Sequence, residues 1–112
     1  MARMYGALVD THRPLVSPET LATGTSVLAS GQDAVVGRPM SYGVGFQLQT
    51  PLRHLGADPA AFGHDGAGGG LHGAWPTHRV GFSYVLNELR GSDGRDPRPR
   101  HVLRALARTL AA

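Results

Sequence analysis

The residues of this chain that are best suited to chemistry stand together in the glycine-rich stretch 62–70, whose sequence is Phe-Gly-His-Asp-Gly-Ala-Gly-Gly-Gly. His64 carries an imidazole that can exchange a proton near neutral pH, and Asp65 beside it carries a carboxylate. The glycines that follow would let a bound molecule approach the main chain closely. A tight bend within a β-sheet, without any chemistry, is the alternative interpretation of the same glycines.

Two other interpretations of these glycines fail on the sequence. A phosphate-binding P-loop needs a lysine after its last glycine, and all 11 basic side chains of this chain are arginine. The letters of residues 68–73 match a dinucleotide-binding fingerprint. That motif must open a helix, however, and Pro76 follows too soon for one.

The 6 histidines raise the question of a metal site. None of them stands two or four residues from another, and the chain has no cysteine to support them. We therefore predict no metal ion and no other cofactor.

Three helices are predicted around the glycine-rich stretch. The apolar spacing of residues 2–10 is helical, and the pattern starts without a capping residue, which is typical of a truncated helix. Ser17, Pro18 and Glu19 are typical of the start of a second helix, which should end near Gly24. Residues 100–112 have the spacing of an amphipathic helix with an arginine-bearing solvated face.

Strands and loops are predicted from alternation and from glycine and proline. Residues 42–48, 71–75 and 80–87 read as strands, and the short connection 76–79 makes the last two a hairpin. Residues 29–41 and 50–61 read as surface loops, and 91–99 as a polar linker.

Composition limits the partners. The 112 residues allow one domain at most. The net charge of +3 comes from scattered arginines with few aromatic residues between them, so nucleic acid is not a predicted partner. No apolar run approaches the roughly 20 residues that span a bilayer, so no membrane is predicted either. The first residues lack the apolar region of a signal peptide, so we predict a cytoplasmic location for the chain as written.

Five segments, in order, resemble the C-terminal part of the serine β-lactamase-like hydrolases, namely the class C β-lactamases and family VIII carboxylesterases. The opening helix resembles the family's ARMYAAL-like helix, and Leu-Val-Ser-Pro-Glu-Thr at 15–20 resembles its LLSPET segment. Residues 42–46 resemble the YGLGF strand, 62–70 resemble FGHxGAGGS, and 76–87 resemble the last hairpin and strand of the sheet. Residues 1–112 are thus expected to be a partial β-lactamase-related domain.

The resemblance implies an α+β fold with about three antiparallel strands and a C-terminal helix packed on the sheet. In the family the third active-site motif, Lys-Thr-Gly or His-x-Gly, opens an edge strand beside the catalytic serine. His64, Asp65 and Gly66 would be that motif here. The resemblance then implies catalytic roles for His64, Gly66 and Ala67, and contact with the substrate for Asp65 and Gly68.

Two roles within that set can be stated in physical terms. The Ala67 N–H would be the second backbone donor to the oxyanion that forms when serine attacks a carbonyl group. His64 would donate a hydrogen bond to the substrate or to the catalytic tyrosine. Its replacement of lysine favours an esterase-like member over a β-lactamase, whose substrates carry a carboxylate.

The other two motifs of the family are missing. S-x-x-K cannot occur without lysine, and no tyrosine has an asparagine two residues later. Ser83 lies in a predicted strand with no base in reach. We therefore expect the chain alone to be inactive, as a fragment of an enzyme that cleaves an ester or lactam through an acyl-serine. Its partners would be that small-molecule substrate and the missing N-terminal part. The alternative is a non-catalytic protein-interaction module that uses an open sheet edge.

Overall fold

A computed structural model describes residues 1–90 and 96–111, which form three α-helices and one six-stranded antiparallel sheet. The helices are α1 (Ala2–Leu8), α2 (Pro18–Gly24) and α3 (Pro97–Ala111). The strands are β1 (Ala29–Gln32), β2 (Pro39–Tyr42), β3 (Gln47–Leu48), β4 (Phe62–Asp65), β5 (Leu71–Trp75) and β6 (Val80–Tyr84). Each strand pairs with the next one along the chain, so β1 and β6 are the two edges.

Helix α2 begins at the predicted cap, whereas α3 begins earlier than predicted. The Ser17 side chain accepts the Thr20 N–H at 3.1 Å, and Pro18 opens α2. Helix α3 begins at Pro97, three residues before the predicted start, because the Asp96 carboxylate accepts the Arg98 N–H at 2.9 Å and caps it there. Of the predicted linker, residues 91–95 lie outside the described residues and 97–99 belong to α3.

The predicted loop at 29–41 is wrong, because this segment contains β1, β2 and the turn between them. All four residues of β1 are exposed, so the strand has no buried apolar alternation, and its main chain pairs with β2. Asp33 fixes the turn, since its carboxylate accepts the N–H groups of Val35 and Val36 at 2.8 and 2.9 Å. Sequence periodicity has no signal for a strand of this kind.

The single strand predicted at 42–48 is also wrong. The Gly43 N–H donates to the Phe46 carbonyl at 2.9 Å, which closes a turn between β2 and β3. Gly45 takes a φ of 79° in this turn, a conformation that favours glycine. The α+β class, the antiparallel sheet and the C-terminal helix packed on it are confirmed, and the sheet has six strands where about three were expected.

The sheet has an apolar core on each face. We call the face under the first helix the α1 face, and its buried core consists of Tyr5, Leu8, Val9, Leu48, Phe62 and Ala74. We call the opposite face the α3 face, and its buried core consists of Leu55, Ala61, Leu71, Trp75, Phe82 and Leu103. The period of two along β5 separates Ala74 from Trp75 and so joins each to a different core.

Residues 50–61 contain no helix or strand, as predicted, yet polar contacts fix this loop to the sheet. Asp58 is 1% exposed and its carboxylate accepts the N–H groups of Ala60 and Thr77, both at 2.9 Å. The Trp75 indole N–H donates to the Leu55 carbonyl at 2.7 Å. The loop is thereby held beside the hairpin of β5 and β6.

In the described parts of the chain, no helix is both long and apolar enough to cross a membrane.

Candidate functional site

The glycine-rich stretch forms the turn between β4 and β5. The Gly66 N–H donates to the Gly70 carbonyl at 2.8 Å, and the Gly69 N–H donates to the Gly66 carbonyl at 3.1 Å. Gly69 has a φ of 114°, and a Cβ there would lie 2.4 Å from Asp96 Oδ2. The turn is therefore packed directly against the residue that caps α3.

The position of the His-Asp-Gly sequence in the sheet differs from the prediction. His64 and Asp65 are the last residues of β4, and Gly66 already belongs to the turn. Strand β4 lies between β3 and β5, so it is not an edge strand. The edge-strand position was implied by the resemblance, whereas here β3, with β2 and β1 beyond it, extends the sheet on that side.

His64 and Asp65 point to opposite faces of the sheet, as adjacent residues of a strand must. His64 is exposed on the α1 face, and its Nδ1 lies 2.6 Å from the Asp65 carbonyl oxygen. Because a carbonyl can only accept, the proton of the neutral ring is on Nδ1 and Nε2 presents a lone pair. In the neutral form His64 therefore accepts at Nε2, whereas the resemblance implied a donor role.

Asp65 is engaged on the α3 face by residues that the sequence analysis missed. The Gln47 amide donates to Asp65 Oδ1 at 2.8 Å and accepts the Asp65 N–H at 3.2 Å. Arg38 Nη2 lies 3.7 Å from Asp65 Oδ2. Gln47 is 18 residues away in sequence, and only the pairing of β3 with β4 brings it here. These contacts hold the Asp65 side chain against β3.

A cavity of about 610 Å³ lies beside the turn. Its wall includes Asp65, Gly66 and Ala67, together with the positively charged Arg38 and Arg100. The structure thus brings three of the five predicted site residues to one cavity. His64 and Gly68 are not part of its wall.

The Ala67 N–H is available to a bound molecule. Ala67 is exposed, and within residues 1–90 and 96–111 no acceptor lies within hydrogen-bond distance of its N–H. A Cβ at Gly66 would meet only the Gly70 carbonyl oxygen, at 3.9 Å. The fold itself therefore leaves space at both positions.

Asp96 and Arg98 form an ion pair at the rim of the cavity. Arg98 Nε lies 3.0 and 2.8 Å from the two carboxylate oxygens of Asp96, and Arg98 Nη2 also donates to the Glu88 carbonyl at 3.0 Å. The hydrogen bonds that the Arg98 side chain and then the Arg98 main-chain N–H donate to the Asp96 carboxylate lower the pKa of Asp96 to about 2. The border of the cavity therefore carries the ionised Asp96 carboxylate, whose negative charge is neutralised by the Arg98 guanidinium.

The prediction that no base lies in reach of Ser83 is wrong. His72 Nδ1 is 2.8 Å from Ser83 Oγ across the β5–β6 pair. The pKa of His72 is lowered, first by burial and then by neighbouring positive charge that includes His64. The sequence spacing of 11 residues hides this contact, which depends on the register of the hairpin.

Three solved structures are similar to the described fold. One is a family VIII carboxylesterase, with a TM-score of 0.84 and 31% identity over 96% of this chain. The second is a penicillin-binding protein homologue from Caulobacter crescentus, with a TM-score of 0.83 and 34% identity over 95% of this chain. The third is EstA from Arthrobacter nitroguajacolicus Rue61a, with a TM-score of 0.82 and 30% identity over 99% of this chain.

These matches cover only part of the larger proteins. The chain spans about 30% of the length of the solved structures that it matches. No protein-family profile and no curated protein matches the chain.

Proposed function

We propose, from the premise that this chain is related to the β-lactamase-like serine hydrolases, that it is the C-terminal part of such an enzyme and supplies one wall of its active site. The nucleophilic serine and its lysine would come from a further part of the polypeptide, since this chain has no lysine. The substrate would be an ester or a lactam, cleaved through an acyl-serine.

The observation that carries the proposal is the Ala67 N–H in the turn after β4. It is exposed, it has no acceptor among the described residues, and it stands on a turn that the packing of Gly69 against Asp96 holds in place. When serine attacks a carbonyl group, the oxygen becomes an oxyanion, and a fixed N–H lowers the energy of that state. The second donor would be the N–H of the serine itself.

The role that we propose for His64 follows from its tautomer. With Nδ1–H bonded to the Asp65 carbonyl, neutral His64 would accept a hydrogen bond at Nε2. A hydroxyl of the catalytic tyrosine or of the substrate is a suitable donor. This arrangement fits an ester better than a substrate that needs a fixed positive charge at this position, which supports an esterase-like activity.

Gly66, Asp65 and Gly68 complete the proposed site. Gly66 would leave room for the acyl group beside the oxyanion donor, because the fold does not itself require a glycine there. Asp65 and Gly68 would contact the substrate from the strand end and from the turn. The hydrogen bonds of Asp65 to Gln47 would keep the strand end in place while the substrate reacts.

The test is a chimera in which residues 1–112 replace the matching segment of the family VIII carboxylesterase. We expect the chimera to fold and to hydrolyse p-nitrophenyl butyrate faster than nitrocefin. Ala67→Pro removes the N–H and should lower kcat by about 10²–10³-fold, which is the usual cost of one oxyanion donor. Ala67→Ser keeps the N–H and should retain the rate.

The controls separate catalysis from folding. Thermal unfolding of the Ala67→Pro and Ala67→Ser chimeras should agree closely, because the Ala67 N–H has no acceptor within the described fold. A folded chimera in which Ala67→Pro hydrolyses the ester at the original rate would contradict the oxyanion role. A folded but inactive chimera would favour a non-catalytic binding module.

A further inference from the structure

His64 and His72 are placed directly opposite each other on neighbouring strands. The register of β4 and β5 pairs the two residues, so both side chains extend from the α1 face of the sheet. Directly opposed residues of antiparallel strands have Cβ atoms about 4.5–5.5 Å apart. That separation allows two imidazole rings to reach a common point above the sheet.

A hydrogen bond at Nδ1 orients each of the two rings. His64 Nδ1 is bonded to the Asp65 carbonyl at 2.6 Å, and His72 Nδ1 is bonded to Ser83 Oγ at 2.8 Å. When Ser83 accepts, as the Asp65 carbonyl must, each Nε2 presents a lone pair. A histidine that binds a metal ion through one ring nitrogen usually donates a hydrogen bond from the other ring nitrogen to a nearby oxygen. Here Nδ1 is the donor and Nε2 is left for the metal ion.

We propose that His64 and His72 together bind one divalent transition-metal ion, with zinc, nickel or copper as the suitable class. Imidazole nitrogen is a preferred ligand of these ions. In residues 1–90 and 96–111, no group of three or more histidine, cysteine or carboxylate side chains could hold a metal ion. The protein therefore supplies two ligands, and water or a bound molecule supplies the others.

The site extends beyond the proposed hydrolase function and does not depend on it. Neither the oxyanion donor Ala67 nor the cavity of the α3 face takes part. Because His64 belongs to both proposals, a metal ion bound there would occupy its Nε2. Zinc is then expected to inhibit the chimera described above, but the site itself is tested without any activity measurement.

The test is calorimetric titration of the 112-residue chain with zinc chloride, repeated with nickel chloride. We expect saturable binding of one ion per chain. Loss of a group that only hydrogen-bonds to a metal-binding histidine typically weakens metal binding by about 10-fold. His64→Gln and His72→Gln each remove a proposed ligand and should weaken binding by more than that. Ser83→Ala removes such a partner and should weaken binding by about 10-fold.

His101→Gln is the matched control, because His101 is exposed on α3 and away from the strand pair. Circular dichroism of each variant reports its folding, and His64 is exposed, so its substitution should leave the fold intact. Full affinity in the His64→Gln, His72→Gln double variant would overturn the proposal, as would the absence of saturable binding. A loss confined to only one of the two single variants would overturn it as well, since the site needs both rings.

Discussion

At the scale of single residues, Asp96 and Arg98 determine how α3 starts. The Asp96 carboxylate accepts hydrogen bonds from the Arg98 main-chain N–H and from the Arg98 guanidinium. Only 4% of the Asp96 side chain is exposed. Gly69 allows the β4–β5 turn to approach this pair, because any side chain there would collide with it. Two residues thus connect the helix to the turn that carries Ala67.

The Asp96–Arg98 pair should make the free energy of unfolding depend on pH in the acid range. The pKa of Asp96 is about 2 in the folded chain, below its usual 3.8, so the unfolded chain takes up the proton first as the pH falls. The stabilisation is therefore complete above pH about 4 and is lost between about 4 and 2. Asp96→Asn should be less stable than the original chain at neutral pH, and the difference should shrink over this range.

Urea unfolding at a series of pH values measures this difference. Arg98→Ala removes the guanidinium but keeps the main-chain N–H, so it should reduce the acid-dependent part of the stability without abolishing it. If Asp96→Asn and the original chain lose stability in parallel down to pH 2, the ion pair does not contribute in the way described.

Asp58 is the second residue whose substitution should lower the free energy of unfolding. Its buried carboxylate accepts two N–H groups and the Thr77 hydroxyl, at 2.9, 2.9 and 3.0 Å. Asp58→Ala would leave these donors without acceptors and should cost about 3 kcal/mol or more in the free energy of unfolding.

Thr77→Val is the matched control for Asp58→Ala. It removes only the hydroxyl contact and should cost about 1 kcal/mol. Thermal or urea unfolding compares the two variants. A loss below about 0.5 kcal/mol for Asp58→Ala, as at an ordinary surface position, would show that the loop is held by its apolar contacts alone.

The same residues show what a sequence can and cannot predict. The cap by Ser17 and the exposed His64 next to glycines depend on neighbours in the chain, so both could be predicted. Thr77, which binds Asp58, and Ser83, which binds His72, stand 19 and 11 residues away from them, and only tertiary packing or strand register makes them neighbours. The sequence predicts no metal ion because no two histidines stand at a ligand spacing, and the spacing of a pair on two strands, such as the one that we propose, depends on register.

At the scale of elements, α1 is held against β6 by two glycines. A Cβ on Gly81 would lie 2.2 Å from the Gly6 nitrogen and 2.4 Å from the Ala2 carbonyl oxygen. The backbone of the helix therefore rests directly on the backbone of the strand. This contact also lets Tyr5 and Leu8 reach the core of the α1 face.

Gly81→Ala should push α1 away from the sheet. Overpacking of this kind costs about 1–3 kcal/mol, and here the obstructing atoms are backbone atoms that cannot rotate away. Ser83→Ala, on the exposed surface of the same strand, is the matched control and should change the free energy of unfolding by less than about 0.5 kcal/mol. Equal stability of Gly81→Ala and Ser83→Ala in urea unfolding would contradict the described packing.

At the scale of the whole molecule, the outer edge of β6 is open. No strand among the described residues pairs with it, and Val85 and Leu89 just beyond it are 74% and 78% exposed. An unpaired edge beside exposed apolar side chains favours pairing with another chain. In the proposed enzyme the missing part of the polypeptide would cover this edge.

The isolated chain should therefore associate with itself as its concentration rises. Val85→Lys places a charge at the open edge and should shift the sedimentation coefficient towards that of the monomer. Val35→Lys is the control, since Val35 is 93% exposed in the turn between β1 and β2 and far along the sheet from β6. If Val35→Lys reduces association as much as Val85→Lys does, added charge and not the open edge is responsible.

The strand order has a consequence for the kinetics of folding. Each described strand pairs with its successor, so most of the sheet needs only short loops to close, and a chain with such low contact order can assemble its strands rapidly. The contact of Gly6 with Gly81 is the exception, because it closes a loop from residue 6 to residue 81, about two thirds of the chain. Closure of so long a loop is expected late, after the transition state. A weakened α1–β6 contact would then accelerate unfolding and leave the refolding rate almost unchanged.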